Sequence, residues 1–496
     1  MIRETYEKIV RQEDIRKNLI QLRQELKVEG VAPLLYYLGG NYQLLSSLLE
    51  HEDAKVRKNV ALIMGELRSP ELREYLWKAY QKEEKLFVKA DYLSALSGFN
   101  YSSLVGNLKE RLTFLTENKW EEASLKHINE EKRALTKMIL DLEQPDKHTF
   151  TGNEILSDLL LLTNRDHREI TLEQIKKGQA KVFNAGVVVR TKDLNEIFEI
   201  RTYSDLLFRL KEVAKVDDDP ALAAQALIKG GLVAFLKERH KEPAPFYFRL
   251  ELKTQRSLDK KSIFAKKMAE ELERLSNREL INSTSNYEIE IRLIESKDED
   301  WNVLLKLYTL IDERFSYRKE AIAASIQPVH AALITRLAKP YLKEKATVLD
   351  PFCGVGTMLI ERQKLVEAEN MYGIDSFGEA ILKAAQNSAL AGCNIHFINK
   401  NFFDFTHKYL VDEIFTNMPT VTGRKTEEEI KGLYKSFFSK ALEFLKQEAI
   451  IVLYTRNKEF VEEEVMKRKA YSIREMYPIS KKENAYLYIL QVHKDL

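Results

Sequence analysis

Thr347-Val348-Leu349-Asp350-Pro351-Phe352-Cys353-Gly354-Val355-Gly356-Thr357 decides the fold class. An apolar lead-in is followed by an acid, two glycines, and a helical pattern running to about Glu367. That is the strand, tight turn and helix of a nucleotide-type ligand site. Gly354 and Gly356 allow the backbone to turn sharply and to approach a ligand, because glycine tolerates positive φ and has no Cβ in the way. A bare G-x-G is common; the Asp-Pro-Phe-Cys-Gly-x-Gly-Thr context is far more specific. The third glycine of a dinucleotide fingerprint is missing, which argues against NAD, and no Gly-Lys-Ser/Thr follows, which argues against a P-loop.

Working outward, Met371-Tyr372-Gly373-Ile374 reads as a second strand ending in Asp375, 25 residues beyond Asp350. An acid at that tip is placed to accept both hydroxyls of a ribose. Ile395–Ile398 and Glu413–Thr416 read as further strands, followed by a helix (Leu433–Lys446), a strand (Glu448–Tyr454), a helix (Lys458–Arg468) and a strand (Ala485–Val492). Alternating β and α elements predict a doubly wound, Rossmann-like α/β domain over residues 306–496, with ligands at the carboxyl ends of its strands. The preceding helical pattern, Ile326–Leu337, carries His330 on one face, and no role is assigned to it.

The 496 residues are 44% hydrophobic and 31% charged, with a net charge of +2. About three domains fit that length, and such a balance excludes a polybasic tail protein without excluding local basic patches. Two cysteines, Cys353 and Cys393, build neither a disulfide framework nor a metal site, and a reducing cytoplasm is the expected compartment. No apolar core of a signal peptide and no membrane span is read, and no metal is expected.

Residues 1–145 read as helical. Asp53 opens a helix with Val56, Val60, Met64 and Leu67 on one face, and Val88–Leu93 repeats Val56–Ala61 at an offset of 32 residues. The pattern resembles HEAT-like repeats; an irregular helical domain is the alternative. A stacked helical surface suits docking of a protein or RNA. After Gln144-Pro145-Asp146 the texture becomes mixed. Gly152–Leu162 reads as a helix, Lys181–Arg190 as a β segment broken at Gly186, Leu194–Ile200 as a helix, Ser204–Val213 as a strand, and Ala221–Glu238 as a helix. Pro245–Leu252 and Tyr287–Ile294 read as strands flanking a basic helix. Lys253, Arg256, Lys260, Lys261, Lys266 and Lys267 lie within 15 residues, and among them stands one acid, Asp259. Such a cluster neutralises phosphates or forms a solvated helix face.

With these residues in view, positions 150–496 resemble the THUMP-domain-containing, class I S-adenosyl-L-methionine (SAM)-dependent RNA methyltransferases. Phe248-Arg249-Leu250 stands at that family's Phe-Arg-Val strand, and Thr202-Tyr203-Ser204-Asp205-Leu206 at its Arg-Thr-Ala-Ser-Arg run. Tyr317-Arg318-Lys319 and Gln327–Leu333 resemble the segment before the cofactor strand, part of that family's cofactor pocket. The resemblance implies a ferredoxin-like plus THUMP-like RNA-binding region over residues 146–305, using Lys253, Arg256, Lys260 and Lys261. It also implies SAM held by Asp350, Pro351, Phe352, Gly354, Gly356, Thr357, Asp375, Asn401 and Phe402, although Phe402 fits a core role as well.

Asn417-Met418-Pro419-Thr420 stands at the Asn-Pro-Pro-Tyr motif of amino-group methyltransferases. The lone pair of an exocyclic base amine is delocalised into the ring. An asparagine oxygen and the next backbone carbonyl accept both N–H bonds and free that lone pair, while the aromatic residue stacks on the base. Asn417, Met418 and Pro419 are therefore the expected catalytic residues, guanine N2 of tRNA or rRNA the expected target. Thr420 departs from the motif, with Phe402 or Tyr434 as aromatic substitutes. Arg424 reads as a phosphate contact or a surface arginine. Two alternatives stand: an RNA-binding protein with a degenerate methyltransferase domain, and an enzyme acting on DNA or a glutamine amide.

Overall fold

The computed structural model describes residues 1–143, 146–297, 300–323, 325–420 and 426–494. The chain divides into two compact units, Met1–Lys147 and His148–Leu496. Gln144 and Pro145, where the texture of the sequence changes, lie outside the described residues.

The first unit is helical throughout its described residues. Asp53 caps the helix Ala54–Leu67, its carboxylate accepting from the Lys55 amide at 2.8 Å. The 32-residue spacing places both Val56 and Val88 in the core, as it does Val60 and Tyr92. Lys58 pairs with Asp91 at 3.0 Å across the two helices, and Arg57 holds the buried Glu83 at 2.7 Å. The contact is tightest at Gly65, where a Cβ would lie 2.6 Å from the Ala95 Cα. Gly65→Ala sets a helix-propensity gain of about 1 kcal/mol against an overpacking cost of roughly 1–3 kcal/mol. Backbone cannot yield as a side chain does, so the clash wins. The expected result is a lower melting temperature for this unit, read by circular dichroism; an unchanged or higher value would show that the helices move apart freely.

In the second unit, a nine-stranded mixed sheet occupies residues 157–307. Ser157–Thr163 is one of its inner strands, antiparallel to both Gly186–Thr191 and Tyr203–Arg209, which corrects the predicted helix over Gly152–Leu162. The continuous run Leu159–Leu162 fits this place: Leu159 and Leu161 face one apolar cluster, Leu160 and Leu162 another, so no polar alternation is needed. The β segment broken at Gly186 is a hairpin of Gln179–Phe183 and Gly186–Thr191. The helix expected over Ala221–Glu238 is two, Pro220–Lys229 and Leu232–Arg239, bent by 47°. Gly230 and Gly231 cause the break: a Cβ on Gly230 would strike Val213, and Gly231 sits at φ +82°. No single helix among the described residues is long and apolar enough to cross a membrane.

The second sheet has seven strands: β1 (Ala346–Asp350), β2 (Ala368–Asp375), β3 (His396–Asn399), β4 (Val411–Asn417), β5 (Leu445–Thr455), β6 (Tyr471–Ser480) and β7 (Ala485–Val492). Their order is β3-β2-β1-β4-β5-β7-β6, with β7 antiparallel to its neighbours. Strand residues alternate between two apolar layers. Val348, Phe415, Val452 and Ile489 meet the helices α1 (Pro328–Ala338) and α2 (Thr357–Leu365). Leu349, Ile414, Ile451 and Leu490 meet α4 (Glu427–Phe444) and α5 (Lys458–Lys467); α3 (Gly378–Ala391) leads from β2 to β3. This is the doubly wound α/β domain that the strand pattern predicts, with β6 unread in the sequence. At the opposite end of the strands from the glycine turn, Arg362 of α2 and Glu413 of β4 form a fully buried bidentate pair at 2.8–3.0 Å. The Lys343 amide and carbonyl complete the bonding of that pair.

Two contacts lock the sheets together. Asn164 donates to the Ile479 carbonyl at 2.6 Å, and His167 Nε2 lies 2.7 Å from the Pro478 carbonyl. On α2, the buried Glu361 accepts two bonds from Arg201, at 2.7 and 2.8 Å, and one from the Tyr317 hydroxyl at 2.7 Å.

Candidate active site

The chain order reverses at β1, between β2 and β4, which opens a crevice beyond their carboxyl ends. Asp350 closes β1 at 0% exposure. Its Oδ1 accepts from the Thr416 hydroxyl at 2.6 Å and the Phe352 amide at 3.1 Å. Its Oδ2 is buried without a partner, and so is the Thr357 hydroxyl at the start of α2. Burial pushes the Asp350 carboxyl from 3.8 up to about 7; the bonds from Thr416 and Phe352 oppose the rise, and Asp375 adds to it.

The turn itself is braced from three sides. The Cys353 amide donates to the Ile374 carbonyl at 2.9 Å, and the Gly354 amide to Asp375 Oδ2 at 2.9 Å. Asn387, fully buried on α3, donates to the Val355 carbonyl at 3.3 Å and exchanges two bonds with the Glu320 backbone. The segment around Tyr317-Arg318-Lys319 is thereby held against the glycine turn. Gly354 (φ +52°) has open space where a Cβ would stand; at Gly356 (φ +80°) a Cβ would meet the Phe397 ring at 2.9 Å. The first glycine leaves room for a ligand, the second room for β3.

Asp375 is half-buried at the tip of β2. Its Oδ1 accepts from the Phe377 amide at 2.9 Å while Oδ2 holds Gly354, so the acid joins the two ligand loops. Each carboxylate oxygen has two lone pairs, and one bond to each leaves acceptor capacity for a diol. Asn417 ends β4, which pairs with β1. The Met418 amide donates to the Tyr454 carbonyl at 2.9 Å. The Pro419 carbonyl accepts from the Tyr434 hydroxyl at 3.2 Å, itself 2.7 Å from Thr455 Oγ1. These bonds fix the loop through groups other than the Asn417 side chain and the Met418 carbonyl.

Several predicted site residues play other parts. Phe402 is 2% exposed, packed among Phe352, Phe437 and Phe444 at 5.5–6.2 Å between ring centres. It is a core residue and not an adenine platform, because no face of the ring is open. Tyr434, at 0% exposure, is likewise unable to stack on a base. Asn401 is exposed, and its side-chain oxygen is engaged by the Phe403 amide at 3.1 Å as the cap of a short 3₁₀ turn. Pro351 is buried, and Phe352 turns its ring into the core beside Phe402. Gly423 and Arg424, with the loop around Val421, lie outside the described residues.

The basic cluster is only partly available. Arg256 is held by Asp218 at 2.6 Å and Glu295 at 2.7 Å over the Trp301 ring, and Lys253 pairs with Glu251. The countercharges on Arg256 come from a loop and a strand distant in sequence, which a reading of one segment does not see. Lys260, Lys266 and Lys267 stay exposed on the helix Leu258–Leu275, with Lys261 half-buried. Three site residues escaped the sequence reading. Thr416 and Asn387 show no motif of their own; Phe377, 50% exposed two residues beyond Asp375, was legible as an aromatic residue just past the ribose-type acid.

Residues 316–481 match the family described as RMKL-like, methyltransferase domain. Carboxy-S-adenosyl-L-methionine synthase of Nautilia profundicola is 32% identical over 125 residues, 25% of this chain and 51% of that protein. The uncharacterized protein MG259 of Mycoplasma genitalium is 34% identical over 85 residues, 17% of this chain and 19% of that protein. The chain thus spans about half or less of the length of the curated relatives it matches. Among solved structures, TrmN from Thermus thermophilus superimposes with a TM-score of 0.52 at 19% identity, over 68% of this chain and 99% of that one. That likeness shows a shared fold. The family match thus falls on the α/β domain and covers about a third of the chain.

Proposed function

We propose that this chain transfers a methyl group from SAM to an exocyclic base amine of RNA, with guanine N2 of tRNA or rRNA as the target. The cofactor of the matched methyltransferase domain is SAM, which supplies, when bound, a methyl group already activated on a sulfonium. The residues present fit it: the unpartnered Asp350 Oδ2 and Thr357 hydroxyl, the open side of Gly354, and the remaining acceptor capacity of Asp375. Asp350 offers a carboxylate to a cationic group, Gly354 backbone approach, and Asp375 acceptors for a ribose diol.

The observation that carries the reaction type is the Asn417-Met418 turn, held beside β1 by bonds that use neither the Asn417 side chain nor the Met418 carbonyl. Those two oxygens accept the N–H bonds of a base amine and direct its lone pair outward. Methyl transfer then needs alignment more than acid–base help. Incubation with tritiated SAM and total cellular RNA, followed by nucleoside mass spectrometry, tests the reading. Label in N2-methylguanosine is the expected result; label confined to DNA or protein would overturn it.

A second reading, SAM binding with weak or no transfer, is favoured by one observation. Thr420 replaces the stacking residue, and both proposed substitutes, Phe402 and Tyr434, are closed in the core. Loss of one stacked base costs roughly 1–3 kcal/mol. Tight SAM binding in calorimetry without transfer to any RNA would establish it.

Asp350 gives the cofactor site a pH signature. The unfolded chain releases this proton near 3.8 and the folded chain near 7, so ionisation costs the protein stability as pH rises across that window. A cationic ligand favours the ionised form. SAM affinity is therefore expected to rise by up to about tenfold per pH unit below 7 and to level off above it. Calorimetry from pH 5.5 to 8.5 checks this, and Asp350→Asn should flatten the profile. A flat wild-type profile would remove Asp350 from cofactor binding.

A further inference from the structure

We propose that the turn Asn164–Arg168 and the β6–β7 hairpin tip, Lys481–Asn484, form one cationic rim that carries the phosphate backbone of RNA to the Asn417 loop. The inference rests on the function proposed above and names the surface that site would use.

The rim is continuous along one edge of the second unit. Asn164 and His167 bond the Ile479 and Pro478 carbonyls, and the His167 ring meets Tyr477 edge-on at 6.1 Å. The turn is thus clamped to the end of β6. The hairpin tip stands at the carboxyl ends of the parallel strands, because β6 runs with β5 and the chain reverses between Ser480 and Ala485. There Glu483 pairs with Arg456 at 2.6 Å, just past the end of β5. Two residues earlier, the Tyr454 carbonyl receives the Met418 amide. A run of contacts therefore leads from the Asn164 turn through the hairpin to the Asn417–Met418 turn.

The charge is positive and accessible. Lys481 is 81% exposed, with Asp166 only at 3.9 Å. Arg165 and Lys482 are exposed, and no acid lies within ion-pair distance of either among the described residues. Arg165, Arg456, Lys481 and Lys482 outnumber Asp166 and Glu483. Around Arg256, by contrast, Asp218 and Glu295 neutralise the guanidinium, and Glu251 pairs with Lys253. A surface edge where exposed Lys and Arg exceed the acids attracts polyanions by releasing condensed counterions. Both sheets contribute, so the surface exists only because the turn and the hairpin are locked together.

The test uses the full chain and fluorescently labelled bulk tRNA, with affinity measured by anisotropy from 50 to 300 mM salt. The variant is Arg165→Gln/Lys481→Gln/Lys482→Gln; all three side chains are exposed and away from the cofactor loops, so SAM binding should be unchanged. Three lost phosphate contacts should flatten the slope of log affinity against log salt by about 2–3. Affinity at the lowest salt should fall by about tenfold or more. An unchanged slope in the variant, with tRNA bound by the wild type, would overturn the rim and leave the proposed reaction standing. A wild type that binds neither bulk tRNA nor ribosomal RNA would overturn both. Duplex DNA bound more tightly than either RNA, with the same loss in the variant, would overturn the assignment to RNA.

Discussion

Replacing Glu413 with alanine is expected to cost roughly 3–5 kcal/mol of folding stability. Arg362 and Glu413 are both at 0% exposure, and the guanidinium makes three bonds to the carboxylate. Truncating the acid leaves an arginine that cannot lose its proton and cannot reach water. Its remaining partners are the Lys343 and Val366 carbonyls, neither of which carries a formal charge. The Lys343 amide also loses its acceptor. The measurement is the urea midpoint of the second unit's transition, followed by tryptophan fluorescence; Trp301 is buried there. Glu413→Leu combined with Arg362→Met should recover most of the loss, because the expense lies in the stranded charge and not in the missing attraction. A shift worth under 1 kcal/mol in the single variant would mean that water enters this end of the sheet.

Asn417→Ala is expected to lower the methyl-transfer rate by about 10²–10³, the scale for removing one preorganised polar group from a developing transition state. SAM affinity should stay within about twofold, because Asp350, Gly354, Thr357 and Asp375 lie on other loops. Stability should also hold: the Met418 amide and Pro419 carbonyl keep their bonds to Tyr454 and Tyr434 in the variant. Single-turnover transfer with tritiated SAM, alongside calorimetry, separates the two effects. Full transfer by the variant would remove Asn417 from the mechanism. A parallel loss of SAM binding would recast it as a cofactor residue.

What the sequence disclosed follows from how local the cause was. Gly354, Gly356 and Asp375 were legible because a tight turn, a close approach and an acid at a strand tip each demand a residue type at a fixed spacing. The α/β alternation was legible because strands buried on both faces read as short apolar runs. That same property misled at Leu159–Leu162, where an apolar run without alternation suits a helix or an inner strand equally well, and only the two flanking partners decide. Phe402 and Tyr434 illustrate a second limit. An aromatic residue near a motif has the right chemistry for stacking, but which way its ring turns depends on α4, whose packing no local pattern encodes. Arg256 shows a third: its neutralising acids, Asp218 and Glu295, stand 38 and 39 residues away along the chain.

Glu361 bears on how this protein can be taken apart. It sits on α2, one turn beyond Thr357, and its carboxylate is satisfied by Arg201 from the first sheet and Tyr317 from the connecting segment. The texture of the sequence invites a cut near residue 305 to isolate the α/β domain. Such a fragment would carry a carboxylate shaped for a guanidinium left behind on the other piece, beside the cofactor turn. Expression boundaries for the second unit belong before His148, so that Arg201 travels with the acid it neutralises.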